Sequence, residues 1–330
     1  RYARVTGVQT CALPICSEKV SEQNTKKKRK GSTLMYFKNH WLLYAMLILP
    51  VVYYIMFQYL PMYGLLIAFK DYNLFLGVWD SKWIGFDVFK EVFRTPNFWS
   101  SIVNTLVLNG LNLLIGFPAP IILALMLNEI NNGIFKKGIQ TVLYLPHFIS
   151  WVIIGGMMYQ IFSTSSGIVN SVVKMFGGNS VPFLTDNGWW IFVYVVVSVW
   201  HDIGWGAIIY MSAITGISAD IYEAAKVDGC SRFRMMWSIT LPNILGTVMI
   251  MLILKIGSMA SIGFEQPLSL GNDTVRSVAD VISTYAYRIG IKSNRFNIAT
   301  AITLFQSVIN FFLVIGSNAL SKKLTGEGIW

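Results

Sequence analysis

The sequence predicts an all-α, polytopic membrane helix bundle: six transmembrane helices with a cytoplasmic helical loop between the fourth and fifth. Three observations predict it. Of 330 residues, 54% are apolar and 13% charged, about half the charged share of a soluble domain, and mean hydropathy is +0.55. Six stretches are apolar over roughly the 20 residues that cross ~30 Å of hydrocarbon. The formal net charge of +10 is unevenly distributed along the chain, as a membrane orientation signal requires. Disorder and a water-solvated globule are both excluded for most of the chain.

Residues 1–16, RYARVTGVQTCALPIC, carry two of the three cysteines and no periodicity. They lack the clean apolar run of about 7 to 15 residues that a signal peptide needs, and are expected to be a non-native remnant. Residues 17–40 are polar and include Lys26, Lys27, Lys28, Arg29 and Lys30. They read as a basic cytoplasmic tail that holds orientation and meets anionic membrane lipid, with no nucleic-acid partner. Three scattered cysteines give no disulfide framework and no zinc spacing.

The six expected spans are 41–59, 102–127, 139–162, 189–214, 244–264 and 298–320. Residues 60–69 are apolar but short and begin Leu60-Pro61, so 41–69 reads as a first helix with an extension. Residues 70–101 form an expected extracellular loop, 102–320 the transmembrane core, and 321–330 a C-terminus inside. With the N-terminus inside, inner segments hold 16 Lys and Arg against 7 Asp and Glu, and outer segments 9 against 8. That bias satisfies the positive-inside rule and places both termini in the cytoplasm.

Asp202 and Lys255 are ionisable groups within spans, where charge is costly and normally faces a bundle interior or a water path. They lie at matching depths on consecutive antiparallel helices and are expected to pair. Milder polar stripes recur at helical spacing: Thr105, Asn109, Asn112 and Gly116; Ser198, Asp202 and Gly206; Thr303, Gln306 and Asn310. Interhelical hydrogen bonds explain any one of them, whereas several together suggest a shared polar interior. Aromatic and hydrogen-bonding side chains within the spans can line a solute path, which makes Asn109, Trp200, Asp202, Trp205, Lys255 and Gln306 the substrate-path candidates. His147, in LPHFISW, reads as a polar anchor; a metal or catalytic role would need partners that the sequence does not supply, so neither a metal site nor a catalytic residue is expected. Residues 133–138 lack the Lys-Ser or Lys-Thr of a phosphate loop, so no nucleotide site is expected in this chain.

Between the fourth and fifth spans, residues 218–242 read SADIYEAAKVDGCSRFRMMWSITLP. Good helix formers precede the turn signal Asp228-Gly229, Ser231 can cap a second helix, and Leu241-Pro242 ends it. Ile221, Ala224, Ala225, Phe233, Met236 and Trp237 give this hairpin apolar positions that imply a docked partner. The segment resembles the EAA loop of the membrane subunits of ATP-binding cassette importers. Glu223, Ala224, Ala225, Gly229, Ile239, Leu241 and Pro242 match its pattern in register, and Cys230 replaces the usual alanine.

The resemblance extends from about residue 38 and narrows to permeases for complex oligosaccharides, through LPMYGLLIAFKDYN, GFPAPIILALMLNEI, QTVLYLPHFISWVI, GWGAIIY, ADVISTYAYRIG and GEGIW. Relatives often carry Lys-Glu where this chain has His201-Asp202. The resemblance implies a bacterial plasma-membrane subunit whose coupling helix, including Asp228, seats in a partner ATPase dimer. It also implies a second permease subunit and an extracellular solute-binding lipoprotein, with ATP and Mg held by the ATPase and no cofactor in this chain. An ion- or proton-coupled transporter using Asp202 and Lys255 is the competing reading, which leaves the hairpin without a purpose. A membrane enzyme lacks a gathered set of catalytic residues.

Overall fold

The computed structural model describes residues 40–325. The readings of 1–16 as a remnant, of 17–39 as a basic tail and of 326–330 as part of the C-terminus fall outside them. The chain divides into two compact units, Arg1–Tyr63 and Gly64–Trp330. In the first, the described part is helical from Trp41 onward, and no side chain between Trp41 and Tyr63 is buried. A helix that is apolar on every face is built for lipid. Helix α1 covers Trp41–Phe69, with Pro50 and Pro61 inside it.

The second unit begins with the end of α1 and a two-stranded hairpin, β1 (Lys70–Asp71) against β2 (Lys82–Trp83), antiparallel with Lys70 opposite Trp83. The Lys70 ammonium closes the hairpin by donating to the carbonyls of Val78 and Trp79 at 2.6 and 3.0 Å. Helix α2 (Asp87–Arg94) buries Val88 and Val92 in one core with Phe98, Ile282, Tyr285, Ile298 and Ile302. The segment expected as a loop at 70–101 is therefore a small folded lobe.

Helix α3 spans Pro96–Asn128, longer than the expected span at both ends. The third expected span is not one helix. Helices α4 (Gly133–Phe148) and α5 (Trp151–Phe162) meet at 101°, because Pro146 cannot donate to the ladder, Ile149 and Ser150 are extended, and the Ser150 hydroxyl caps α5. After α6 (Ile168–Met175) comes α7 (Asn187–Thr215), started by the Asp186 carboxylate, which accepts from the amides of Gly188 and Trp189 at 3.0 Å each. This helix is the axis of the unit. Its residues Trp190, Val193 and Tyr194 enter one core with Leu108 and Ile154, and Ala207, Tyr210 and Ile214 enter another with Ile121 and Ala124.

Helices α8 (Ala219–Val227) and α9 (Arg232–Asn243) form the hairpin, and α9 meets α10 (Leu245–Gly257) at 64°. The fifth expected span, 244–264, stops at Gly257, and residues 258–264 leave the helix. The polar stripes explain how the freed backbone is satisfied. Asn109 donates to the carbonyls of Met259 and Ser261 at 2.6 and 3.0 Å, Gln306 to that of Ala260 at 2.8 Å, and Asn310 accepts from the Ala260 amide at 3.2 Å. Irregular backbone at membrane depth persists only when protein groups pair it in this way. The short helices α11 (Glu265–Leu270) and α12 (Ile282–Tyr287) lead to the long α13 (Phe296–Thr325). Among the described residues four helices are long and apolar enough to cross a membrane, or six if each bent pair is one span.

Candidate functional site

Where α7 passes the α4–α5 bend and the end of α10, two cavities of about 560 and 350 Å³ open side by side. Asp202 and Lys255 line both. The larger also takes in Asn109, Trp151, Ser198, Glu265 and Gln266, and the smaller Trp205, Phe117 and Met251. Three of the sequence-predicted residues, Asp202, Trp205 and Lys255, thus share one wall, and Asn109 faces the same space from α3. Gln306 lines a separate cavity with Phe264, Ser283 and Thr303, and its amide is held by the 258–264 backbone. Trp200 lines none of these cavities. A helix turns about 100° per residue, so Trp200 points away from the face that carries Asp202.

The expected Asp202–Lys255 pair is not formed. Asp202 Oδ1 instead lies 2.6 Å from Nδ1 of His201 and 3.3 Å from Nδ1 of His147. Matching depth on neighbouring helices did not suffice, because the His147 turn reaches the carboxylate first. The triad is bracketed by indoles: Trp205 stacks on the His147 ring at 4.6 Å and 6°, and Trp151 lies 4.2 Å from the His201 ring. His201 is buried, while 57% of the Asp202 side chain is exposed. The carboxylate is fixed by one oxygen and open to the cavity. Sequence reasoning placed His147 as an anchor, noted His201 only as the neighbour of Asp202 and missed Trp151, since His147 and Trp151 reach α7 only through the α4–α5 bend.

The EAA-like hairpin is built locally. Ser218 caps α8 and Ser231 caps α9. The α8 C-terminus closes through the amide of Cys230 on the carbonyl of Ala225 at 2.9 Å, with Gly229 at φ +74°. That left-handed turn is one that glycine adopts without a Cβ penalty. Tyr222 and Thr240 share a hydroxyl–hydroxyl bond of 3.0 Å that ties the two helices together. Ala225 is buried, as are Met235 and Thr240 beneath the hairpin, whereas Glu223, Ala224, Asp228, Gly229 and Pro242 are exposed and Ile239 and Leu241 half-buried. Ile221, Val227, Phe233 and Trp237 stand in the open at 42, 89, 69 and 51%, an apolar surface larger than scattered exposure explains.

Apolar helices broken around a charged cavity, together with a separate helical hairpin that presents apolar side chains outward, define a polytopic membrane permease. The chain belongs to the family of binding-protein-dependent transport system inner membrane components, whose model matches residues 116–326. It is a transport subunit and a multi-pass membrane protein. Protein LplB of Bacillus subtilis (strain 168) is 44% identical over 89% of this chain and 92% of its own. The polygalacturonan/rhamnogalacturonan transport system permease protein YteP of the same organism is 42% identical over 92% of this chain and 95% of its own. A crystal structure of a bacterial ABC transporter involved in the import of the acidic polysaccharide alginate superposes with a TM-score of 0.81 at 41% identity, covering 88% of this chain and 99% of that one.

Proposed function

We propose that this chain is a permease subunit of an ATP-driven importer that moves oligosaccharides through the cavity at Asp202. The observation that carries this reading is the convergence of Asp202, Trp205 and Lys255 on one cavity wall. An indole offers the apolar C–H face of a sugar a stacking surface, an oriented carboxylate accepts from its hydroxyls, and an ammonium donates to its oxygens. Sugar-transporting relatives at more than 40% identity support the substrate class. A solute-binding lipoprotein delivers the sugar outside, and a second permease completes the pathway. An ATPase dimer holding ATP and Mg docks on the hairpin of Glu223, Ala224, Ala225, Asp228 and Gly229, with Ile239, Leu241 and Pro242 fixing its return to α10. Both termini are cytoplasmic in this arrangement.

The test is uptake of labelled oligosaccharide by the assembled importer in liposomes. Uptake should require ATP on the ATPase side and survive collapse of ion gradients. Trp205→Ala should weaken it by about two- to tenfold, the value of one aromatic stacking contact. Uptake that continues without ATP and stops with an ionophore would overturn the reading in favour of an ion-coupled carrier.

A further inference from the structure

His147, His201 and Asp202 each offer one ligand atom, and those atoms lie within 4.8 Å of one another. We propose that this triad is a binding site for a divalent transition-metal ion of the zinc type, set in the wall of the transport cavity. Two imidazole nitrogens and one carboxylate oxygen form a donor set that Zn²⁺ accepts with a fourth position left open. Calcium and magnesium call for six or more oxygens, and Cu(I) for sulfur.

The two spacings to Asp202 suit the ion, and the third ligand atom lies within 4.8 Å of both. Ligand atoms around a tetrahedral zinc at about 2.0–2.1 Å stand roughly 3.3 Å apart. Nδ1 of His147 and Oδ1 of Asp202 already have that spacing, at 3.3 Å. The 2.6 Å contact of His201 with Asp202 is a hydrogen bond that opens by less than about 1 Å when the ion replaces the shared proton. Stacking of Trp205 on His147 and the tilted ring contact of Trp151 with His201 at 4.2 Å hold both imidazoles in place, the orienting task that outer-shell groups perform in metal sites. His147 sits in the α4–α5 bend and the other two ligands on α7, so a bound ion staples the bend to the central helix. The exposed side of Asp202 turns the open coordination position toward the cavity.

One consequence rests on the oligosaccharide reading: an ion held at Oδ1 of Asp202 neutralises the carboxylate that faces the sugar and slows uptake. The assembled importer, stripped of metal and then dialysed against Zn²⁺, should retain one zinc per copy of this chain by elemental analysis. Co²⁺ in its place should give the intense visible bands of a tetrahedral site. His147→Gln and Asp202→Asn should each weaken retention at least tenfold, and His147→Cys, which restores a ligand, should recover it. Zinc retention equal in wild type and His147→Gln, or no zinc retained by the wild type, would overturn the site. A protein that holds its zinc yet takes up sugar at an undiminished rate would instead overturn the sugar contact of Asp202 and leave the metal site standing.

Discussion

Among the described residues two sharp bends interrupt apolar helices, and both come just after a Leu-Pro pair: Leu145-Pro146 in the last turn of α4, and Leu241-Pro242 in the last turn of α9. The first turns the chain by 101° and the second by 64°. The difference lies in the residues after each proline. Beyond Pro146, Ile149 and Ser150 are both extended before Ser150 caps the next helix. Beyond Pro242 only Ile244 leaves helical geometry, at φ −95° and ψ 3°. Their surroundings differ as well. The first bend buries Pro146 and brings His147 against Asp202, while the second buries Ile244 in the core and leaves the hairpin before it facing outward. One dipeptide thus builds a wall of the cavity in one place and an exposed docking surface in the other.

The largest effect should come from breaking the first bend's seat on α7. A Cβ at Gly204 would overlap the carbonyl of Leu143 in α4. A backbone carbonyl cannot swing aside as a side-chain tip can, so Gly204→Ala has to push the whole of α4. Overpacking costs about 1–3 kcal/mol, and the upper end is expected here. The apparent melting temperature of the detergent-solubilised importer should fall, and zinc retention should fall with it because His147 moves. An unchanged melting temperature would mean that α4 does not rest on α7 at this glycine.

The four continuous membrane-length helices, at 41–69, 96–128, 187–215 and 296–323, were legible in the sequence because hydropathy over ~20 residues reports them directly. The breaks were not. Pro146 and the cap Ser150 lie inside the mostly apolar stretch 139–162, and the fifth span looked continuous to Phe264 although it ends at Gly257. Its unwinding depends on Asn109, Gln306 and Asn310, which arrive from α3 and α13, so no local window reveals it. The same distance in sequence concealed the fate of Asp202, whose partners are its neighbour His201 and a histidine 55 positions away. By contrast the hairpin was readable nearly residue by residue, since caps, turn glycine and helix formers all act within a few positions.

The second region should answer more gently. Gly229 has φ +74° and open space around it, so Gly229→Ala strains the turn without a clash, at about 1 kcal/mol. The expected result is normal membrane insertion and a melting temperature lowered by at most a few degrees, with uptake reduced about fivefold and ATP hydrolysis no longer stimulated by sugar. Asn tolerates the left-handed region, so Gly229→Asn should recover part of the loss. A Gly229→Ala importer with full coupling would show that the turn geometry does not govern ATPase docking.

Tyr222→Phe should produce the smallest change and sharpen the contrast furthest. It removes one hydroxyl from the 3.0 Å bond to Thr240, which keeps its own donation to the carbonyl of Met235 at 3.4 Å. Because Thr240 is not left without a partner, the cost is the net value of one hydrogen bond, about 0.5–1 kcal/mol, rather than a full desolvation penalty. Amide hydrogen exchange should quicken in α8, and the amides of α7 should keep their protection. If exchange quickened equally in α7, the hairpin and the cavity wall would open as one unit, and the second bend would transmit motion to Asp202 without any rearrangement of the first.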